Sequence, residues 1–399
     1  GKPKHKGKTL ELSTAPDIVV SLLPSHCVCG HALDKSQATV LERRQVFDLP
    51  QPKLLITEYQ KLACKCGGCG LSIHGIFPDA IPSRVQYGSG VRSLTSLLNC
   101  AFAMPIKKIQ QLFIDLFGYA INESTISNNN SRCADLLEPI EQQIKEKLLA
   151  SEVGHVDESG VRVAGRLHWL HTFSSTLFTF FFVHARRGRK ALEDSMSLLP
   201  GFSAWLVHDC WSSYFRFTGC RHALCGAHII RELTALEEKN IIWAKWFKRY
   251  LLTLFERAQT NDGVLPKSMQ QKALLLFDRI AQYADAIEPQ PKKIEGKKGK
   301  PKATKGRNLL NRLVKHREAV LAFAFHQEVP FTNNLAERDL RPIKTKQKVS
   351  GCFRTKVGAD KHARIYGYIS SARKNNLNIF KELKSIFDGN TSAIFEGAK

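Results

Sequence analysis

The sequence predicts an α/β protein built on a mixed sheet, and three observations carry that prediction. Three closely spaced strand-like runs, Val153–Val163 and residues 168–173 and 177–184, are placed to pair antiparallel. A helical stretch from Gly188 through Ala191, Leu192, Met196 and Leu199 separates them from a fourth run, residues 205–209. Residues 223–225 then lead into a helix at 227–236, and another helix opens late in the chain, where Asn333 and Asn334 can act as caps. Three antiparallel strands, a helix, a strand, a second helix–strand passage and a late helix follow the order of a ribonuclease H-like fold. Ser159-Gly160 is expected to turn the first strand.

Before this region the texture differs. Residues 1–20 form a basic tail expected to be disordered. Over residues 21–88, Cys27-Val28-Cys29-Gly30 and Cys64-Lys65-Cys66-Gly67-Gly68-Cys69-Gly70 bracket two strand-like runs, 45–49 and 53–62. Glycines beside paired thiols let backbone amides turn around thiolate sulfur, as a zinc ribbon needs, so Cys27, Cys29, Cys66 and Cys69 are the expected zinc ligands. The first pair is one residue shorter than usual, and His26, His31 or Cys64 could substitute. The other reading of these thiols is buried or vestigial cysteine.

Residues 89–150 read as helices. Leu94, Leu97, Leu98, Ile109, Leu112, Phe113 and Leu116 keep helical spacing, Gly118 breaks it, and Asn122-Glu123-Ser124-Thr125 caps the next helix. Helix, glycine turn and capped helix resemble a helix-turn-helix whose groove-facing residues would be Ser127, Asn128, Asn129, Asn130 and Arg132. An ordinary helical hairpin packed on the next domain fits the same pattern. After the first part of the core (151–236), residues 237–307 read as a helical insertion and a Lys-rich linker able to lie along phosphates, and 308–399 as the rest of the core with basic helices.

Composition narrows the function. The chain has 399 residues, 43% hydrophobic content and a formal net charge of +23, so it is folded and suited to a polyanionic partner such as DNA. No apolar run reaches the roughly 18 residues of a membrane span, and no secretory leader is visible. The first residue is not Met, which leaves open whether a natural N-terminal segment is missing. Eleven cysteines without a leader suggest reduced thiols and metal rather than a disulfide framework.

Three acids carry the chemistry. Asp157 lies in the first strand, Asp209 ends the run 205–209 where a central strand meets its loop, and Glu337 falls in the first turn of the late helix. Two strand carboxylates side by side, with a third brought across by a packed helix, repel one another unless cations fill the cluster. Hard oxygen donors favour two Mg2+ or Mn2+ ions, which would activate a water or a 3′-hydroxyl and stabilise the leaving oxygen in an in-line phosphoryl transfer. Glu158 alternates to the opposite face, and Asp339, turned about 200° from Glu337 around a helix, is the weaker candidate.

These blocks resemble those of bacterial insertion-sequence-66 family transposases. Asp157-Glu158-Ser159-Gly160-Val161-Arg162-Val163 with Trp169-Leu170-His171 is similar to the family's first-acid block, and His208-Asp209-Cys210-Trp211-Ser212-Ser213-Tyr214-Phe215 to its second. Leu224-Cys225-Gly226-Ala227-His228 with Arg231-Glu232-Leu233 resembles the segment that follows. Asn333-Asn334-Leu335-Ala336-Glu337-Arg338-Asp339-Leu340-Arg341, with Lys346-Gln347-Lys348-Val349-Ser350-Gly351-Cys352-Phe353-Arg354, resembles the third. The resemblance implies a DDE-type transposase with Asp157, Asp209 and Glu337 as its triad. It also implies double-stranded DNA partners (transposon ends and target), a homodimer or higher oligomer on DNA, accessory proteins of the same element, and a bacterial cytoplasmic setting at the nucleoid. The family's usual N-terminal coiled-coil segment is not among these residues.

Flanking residues extend the site. Arg338, Arg341, Lys344, Lys346, Lys348 and Arg354 are expected to grip phosphates, as are His228 and Arg231, with a solvated charged face as the plainer reading. Cys225-x2-His228 could bind a metal, steady a DNA strand or serve as a strand-to-helix structural element. Trp211 and Tyr214 could stack on a frayed terminal base or be buried aromatics. Two other functions fit less of the chain. His362-Ala363-Arg364 with Tyr366 or Tyr368 has a fainter likeness to a tyrosine recombinase, and a catalytically inactive, zinc-containing DNA-binding protein derived from a transposase would keep the same fold.

Overall fold

A computed structural model describes residues 10–291, 301 and 303–396. The basic residues 1–9 and Lys292, Lys293, Lys297, Lys298, Lys300 and Lys302 of the linker lie outside the described residues. The chain divides into two units, Gly1–Glu58 and Tyr59–Lys399.

In the first unit the described residues hold one 3-10 turn, Lys35–Gln37, which Asp34 caps by accepting the Ser36 N–H at 2.8 Å. The expected strands at 45–49 and 53–62 do not form. Val46, Leu49 and Leu55 are almost fully exposed, so no covered face supports a ladder there. Strands flank the second thiol pair instead. β1 (Ala63–Lys65) pairs antiparallel with β2 (Ser72–His74), with Cys64 opposite Ile73.

The helical region comprises α1 (Ser89–Ser96) with a π-helical turn at Leu97–Ala101, α2 (Ile106–Phe117), α3 (Glu123–Leu136) and α4 (Glu138–Leu149). Gly118 closes α2 at φ +70°, a conformation that favours glycine, and Asn122 caps α3 by accepting the Ser124 N–H at 2.9 Å. Ile109, Phe113, Ile121 and Ile126 bury together and hold α2 against α3.

The core follows: β3 (Val153–Val163), β4 (Arg166–Ser174), β5 (Thr179–His184), α5 (Arg189–Leu192), β6 (Trp205–His208), β7 (Arg221–Leu224) and α6 (Gly226–Glu237). β3 runs unbroken through Ser159-Gly160, and the turn comes later, at Ala164 and Gly165, both with positive φ. Gly160 stays in register opposite Trp169, where an added Cβ would meet Leu167 Cδ1 at 3.2 Å, so this glycine reports close packing rather than a turn. The helix expected from Gly188 to Leu199 is only the single turn of α5, followed by a 3-10 turn at Leu199–Gly201.

The sheet order is β5-β4-β3-β6-β7, antiparallel across β5, β4 and β3 and parallel across β3, β6 and β7. A five-stranded mixed sheet clad with helices is consistent with the expected ribonuclease H-like core. The insertion is α7 (Ile242–Gln259) and α8 (Lys267–Ile287), and then come α9 (Lys305–Lys315), α10 (Arg317–Phe325), α11 (Asn334–Ser350), α12 (Lys356–Lys374) and α13 (Ile379–Phe387). β6 alternates between two apolar clusters. Leu206 joins one with α11, α12 and α13, while Trp205 and Val207 join another with α6 to α10. Among the described residues, no helix is long and apolar enough to cross a membrane.

α11 is set on the sheet by its first residues. Asn333 is 1% exposed and does not cap the helix with its side chain. Its Nδ2 donates to Val156 O at 2.8 Å and its Oδ1 lies 3.0 Å from His155 Nδ1, while its backbone N–H reaches Cys225 Sγ at 3.1 Å. Two residues further along the helix than Glu337, buried Asp339 accepts from Ser174, Thr179, Ser370 and Lys374. We expect Asn333→Ala, which leaves a buried carbonyl and imidazole without this partner, to cost about 2–3 kcal/mol. A lower urea midpoint at unchanged m-value is the measurement, and a loss below about 0.5 kcal/mol would show that α11 docks without the Asn333 bridge.

Candidate active site and nucleic-acid interface

Parallel pairing fixes the first two acids. β3 and β6 pair Val153 with Trp205, Gly154 with Leu206 and His155 with Val207. The same offset carried two residues further sets Asp157, midway along β3, beside Asp209, just past the end of β6. Asp157 Oδ1 accepts the Glu158 N–H at 2.9 Å. Asp209 Oδ1 accepts the Trp211 N–H at 3.0 Å across Cys210, whose φ of +72° turns the chain sharply out of the strand. Glu337 arrives in the first turn of α11, held by the Asn333 contacts to the residues just before Asp157.

The three acids share one end of the sheet. Burial first, then the charge of Glu158, push the Asp157 carboxyl up to about 7; the Glu158 N–H opposes them, and Asp209 and Glu337 add the smallest upward effects. Their oxygens are not all within 4.8 Å of one another. Among the described residues, the group that meets that distance is Cys225, His228 and Glu337. Hard carboxylate donors, partly buried, fit a divalent cation of the magnesium class.

Glu158 is engaged elsewhere. Its carboxylate pairs with Arg187 at 2.6 Å and accepts the Tyr214 hydroxyl at 2.5 Å. The Arg187 guanidinium in turn lies over both Trp169 and Trp211, at 4.9 and 4.6 Å from the ring centres. Tyr214 is therefore a buried partner of Glu158 and cannot stack on a base, whereas Trp211 is partly exposed. Sequence reading missed Arg187, His155 and Asn333, since each acts through a residue distant in the chain. The Asn333-Asn334 pair was visible, but only as a helix cap.

Cys225 ends β7, and His228 lies in the first turn of α6. His228 Nδ1 is 3.6 Å from Glu337 Oε1. Burial pushes the Cys225 thiol up, but the neighbouring His228 and the Asn333 and His228 N–H groups bring it below the usual value. His228 is raised, chiefly by Cys225.

The expected phosphate contacts divide by helix face. Arg338, Arg341, Lys344 and Lys348 are exposed on α11, as are Arg354 after it and Arg231 on α6. Lys346 is not available, being 9% exposed with its Nζ donating to Asn99 O at 3.3 Å. Two residues rotate a helix by about 200°, which turns Lys346 inward from Lys344. In α3, Asn128 and Arg132 are exposed, but Asn129 is buried and donates to Thr95 Oγ1 at 3.1 Å, so it cannot reach a groove. Tyr366 and Tyr368 are buried, and Tyr368 donates to Glu382, which leaves neither hydroxyl free to attack DNA.

The thiol pairs form two similar tight turns, one in each unit. Cys27 N–H bonds to His31 O and Gly30 N–H to Cys27 O, both at 2.8 Å; Cys66 N–H bonds to Leu71 O at 2.8 Å and Gly70 N–H to Cys66 O at 2.9 Å. Gly30 and Gly70 both take positive φ. Backbone N–H groups, that of Cys29 foremost at Cys27 and that of Cys69 foremost at Cys66, hold these two thiols below the usual value.

Residues 84–361 match the family model described as Transposase IS66 family, a span that includes all three acids and begins after both thiol pairs. No curated protein matches the chain.

The raised Asp157 sets a pH dependence. Its folded value, about 7, exceeds the unfolded 3.8, so the folded chain holds the extra proton between them and loses stability as pH rises through that window. With divalent ions chelated, Asp157→Asn should therefore melt higher than the parent at about pH 8, by roughly 2–4 kcal/mol, with the gap closing towards about pH 4. Equal melting of the two proteins at both pH values would show a well-solvated Asp157.

Proposed function

The chain belongs to the IS66 transposase family, and from that membership we propose that it is a DDE-type enzyme that cuts and joins DNA at the terminal inverted repeats of its element. The nearness of Asp209 and Glu337 to a partly buried Asp157, whose carboxyl is pushed up to about 7 chiefly by burial and by Glu158 and to a smaller degree by these two acids, carries this reading. Asp157, Asp209 and Glu337 would hold Mg2+ or Mn2+, and the bound ions would supply the Lewis acidity that polarises a phosphodiester and lowers the proton affinity of an attacking water or 3′-hydroxyl for in-line transfer. Asp157 must give up its proton to serve as a ligand. The turn at Cys210 and the Asn333 bridge orient the other two acids before substrate arrives.

Around the acids, Arg338, Arg341, Lys344 and Lys348 present cations along the exposed side of the helix that carries Glu337. DNA drawn to that face would bring its backbone towards the carboxylates, with Arg354, Arg231 and His228 nearby in the same proposal. Asn128 and Arg132 of α3 remain candidates for contacts to the repeat, and Cys27, Cys29, Cys66 and Cys69 for a structural Zn2+. Assembly as a dimer or higher oligomer on DNA, with accessory proteins of the element, belongs to the same reading.

Two measurements test it. On DNA carrying the element's own ends, Asp157→Asn, Asp209→Asn and Glu337→Gln should each lower Mg2+-dependent strand cleavage by more than about a hundredfold while leaving binding near normal. A parent chain that binds the ends yet never cuts them would instead be a DNA-binding derivative of a transposase. Arg341→Ala or Lys344→Ala should weaken binding about equally on specific and unrelated DNA and reduce the salt slope by about 1, whereas Lys346→Met should leave that slope unchanged.

A further inference from the structure

We propose that Cys225, His228 and Glu337 form a site for a borderline-soft divalent cation of the zinc class. The site is distinct in its donors from the oxygen cluster at Asp157 and Asp209, and it stands whether or not that cluster binds magnesium. One sulfur, one imidazole nitrogen and one carboxylate oxygen lie within 4.8 Å of one another. Thiolate and imidazole suit zinc-class ions and disfavour magnesium, which requires oxygen.

The donors are held by backbone. Cys225 precedes the first residue of α6 and His228 follows three residues later, a spacing that puts sulfur and ring on one side of the helix start. Glu337 is brought opposite by the chain leading into α11. There the Gly226 N–H bonds to Phe331 O at 2.7 Å and the Asn333 N–H to Cys225 Sγ at 3.1 Å. These links leave little freedom for the three side chains to part.

A second, independent observation points to a ligand. His228 Nδ1 and Glu337 Oε1 are both shielded from water, and neither has a hydrogen-bond partner. They face one another at 3.6 Å, beyond hydrogen-bond reach, and a cation between them would satisfy both while drawing on the sulfur as well. Three protein donors leave a fourth position, and a small cleft lined by Asp209, Cys210, Cys225, His228, Glu232 and Arg312 adjoins them. Arg312 is already paired with Glu232. A carboxylate has two oxygens, so an ion on this side would fix the orientation of Glu337 without consuming its second oxygen.

Cobalt(II) provides the readout, because a thiolate ligand gives a charge-transfer band that oxygen-only sites lack. The protein is the full chain carrying Cys27→Ser, Cys29→Ser, Cys64→Ser, Cys66→Ser and Cys69→Ser, which removes the N-terminal thiols from the signal. It should bind one Co2+ with a thiolate charge-transfer band and four-coordinate d–d absorption, and Zn2+ but not excess Mg2+ should displace the ion. Adding Cys225→Ser, which keeps an acceptor for the Asn333 N–H, should abolish the band, and adding His228→Gln should weaken binding by more than about tenfold. Circular dichroism checks the fold of each protein. Should the five-serine chain not fold, the bound Co2+ of the otherwise intact chain should fall by one equivalent on Cys225→Ser. No band in the folded five-serine chain, a band that survives Cys225→Ser, or unchanged stoichiometry in the intact chain would each overturn the site and leave a plain His228–Glu337 ion pair.

Discussion

The docking of the start of α11 against the first half of β3 is the constraint on which the site depends. Asn333 contributes one side chain to two successive residues of the strand and its backbone to the end of β7, so three elements distant in sequence meet at a single buried amide. Parallel pairing of β3 with β6 runs to His155 and Val207, and continuing that register brings Asp157 towards Asp209. Given those two facts, Glu337, four residues into the same segment, has little choice but to face them. The hydrogen bonds matter here as much for register as for stability. Without them, α11 could slide along an apolar surface formed by Leu340 and Ile343, which specifies burial but not phase.

That phase is fixed a second time. Asp339 is buried among Ser174, Thr179, Ser370 and Lys374, linking α11 to β4, β5 and α12. A buried ion pair is weak evidence for stability, but a directional one defines which way a helix faces. With Asp339 turned inward, the helix must present Arg338, Arg341 and Lys344 outward, and the same rotation buries Lys346.

That Asp209 follows a strand and Glu337 opens a helix was legible because strand ends and helix starts leave local marks: an apolar run stopping at Asp209, two asparagines before Glu337. The three antiparallel strands and the later strand ending at Asp209 were legible from their apolar runs. What could not be read were features set by partners far along the chain. Lys346 belongs to a basic run, and only the packed phase of α11 separates it from its neighbours. Asn129 sits among polar residues and is buried because Thr95 on another helix meets it. Gly160 looked like a turn, since glycine has no local mark that distinguishes a tight turn from a strand pressed by Leu167. The apolar alternation of residues 45–62 promised strands, but without a covering face alternation does not make a sheet.

Asp157 and Glu158 show how one strand can give adjacent acids opposite fates. Alternation along β3 sends them to different faces. Glu158 meets Arg187, itself held against two tryptophans, and the buried hydroxyl of Tyr214, so its charge is answered within the protein. Asp157 has a backbone N–H as its hydrogen-bond donor, and burial first, then the charge of Glu158, with smaller effects of Asp209 and Glu337, raise its proton affinity. A chain with a net charge of +23 has ample cations to neutralise Asp157, yet those on α11 face outward, where DNA rather than carboxylate would meet them. The arrangement turns the α11 cations away from Asp157 and leaves its carboxylate to the external cation that the proposed phosphoryl transfer would use.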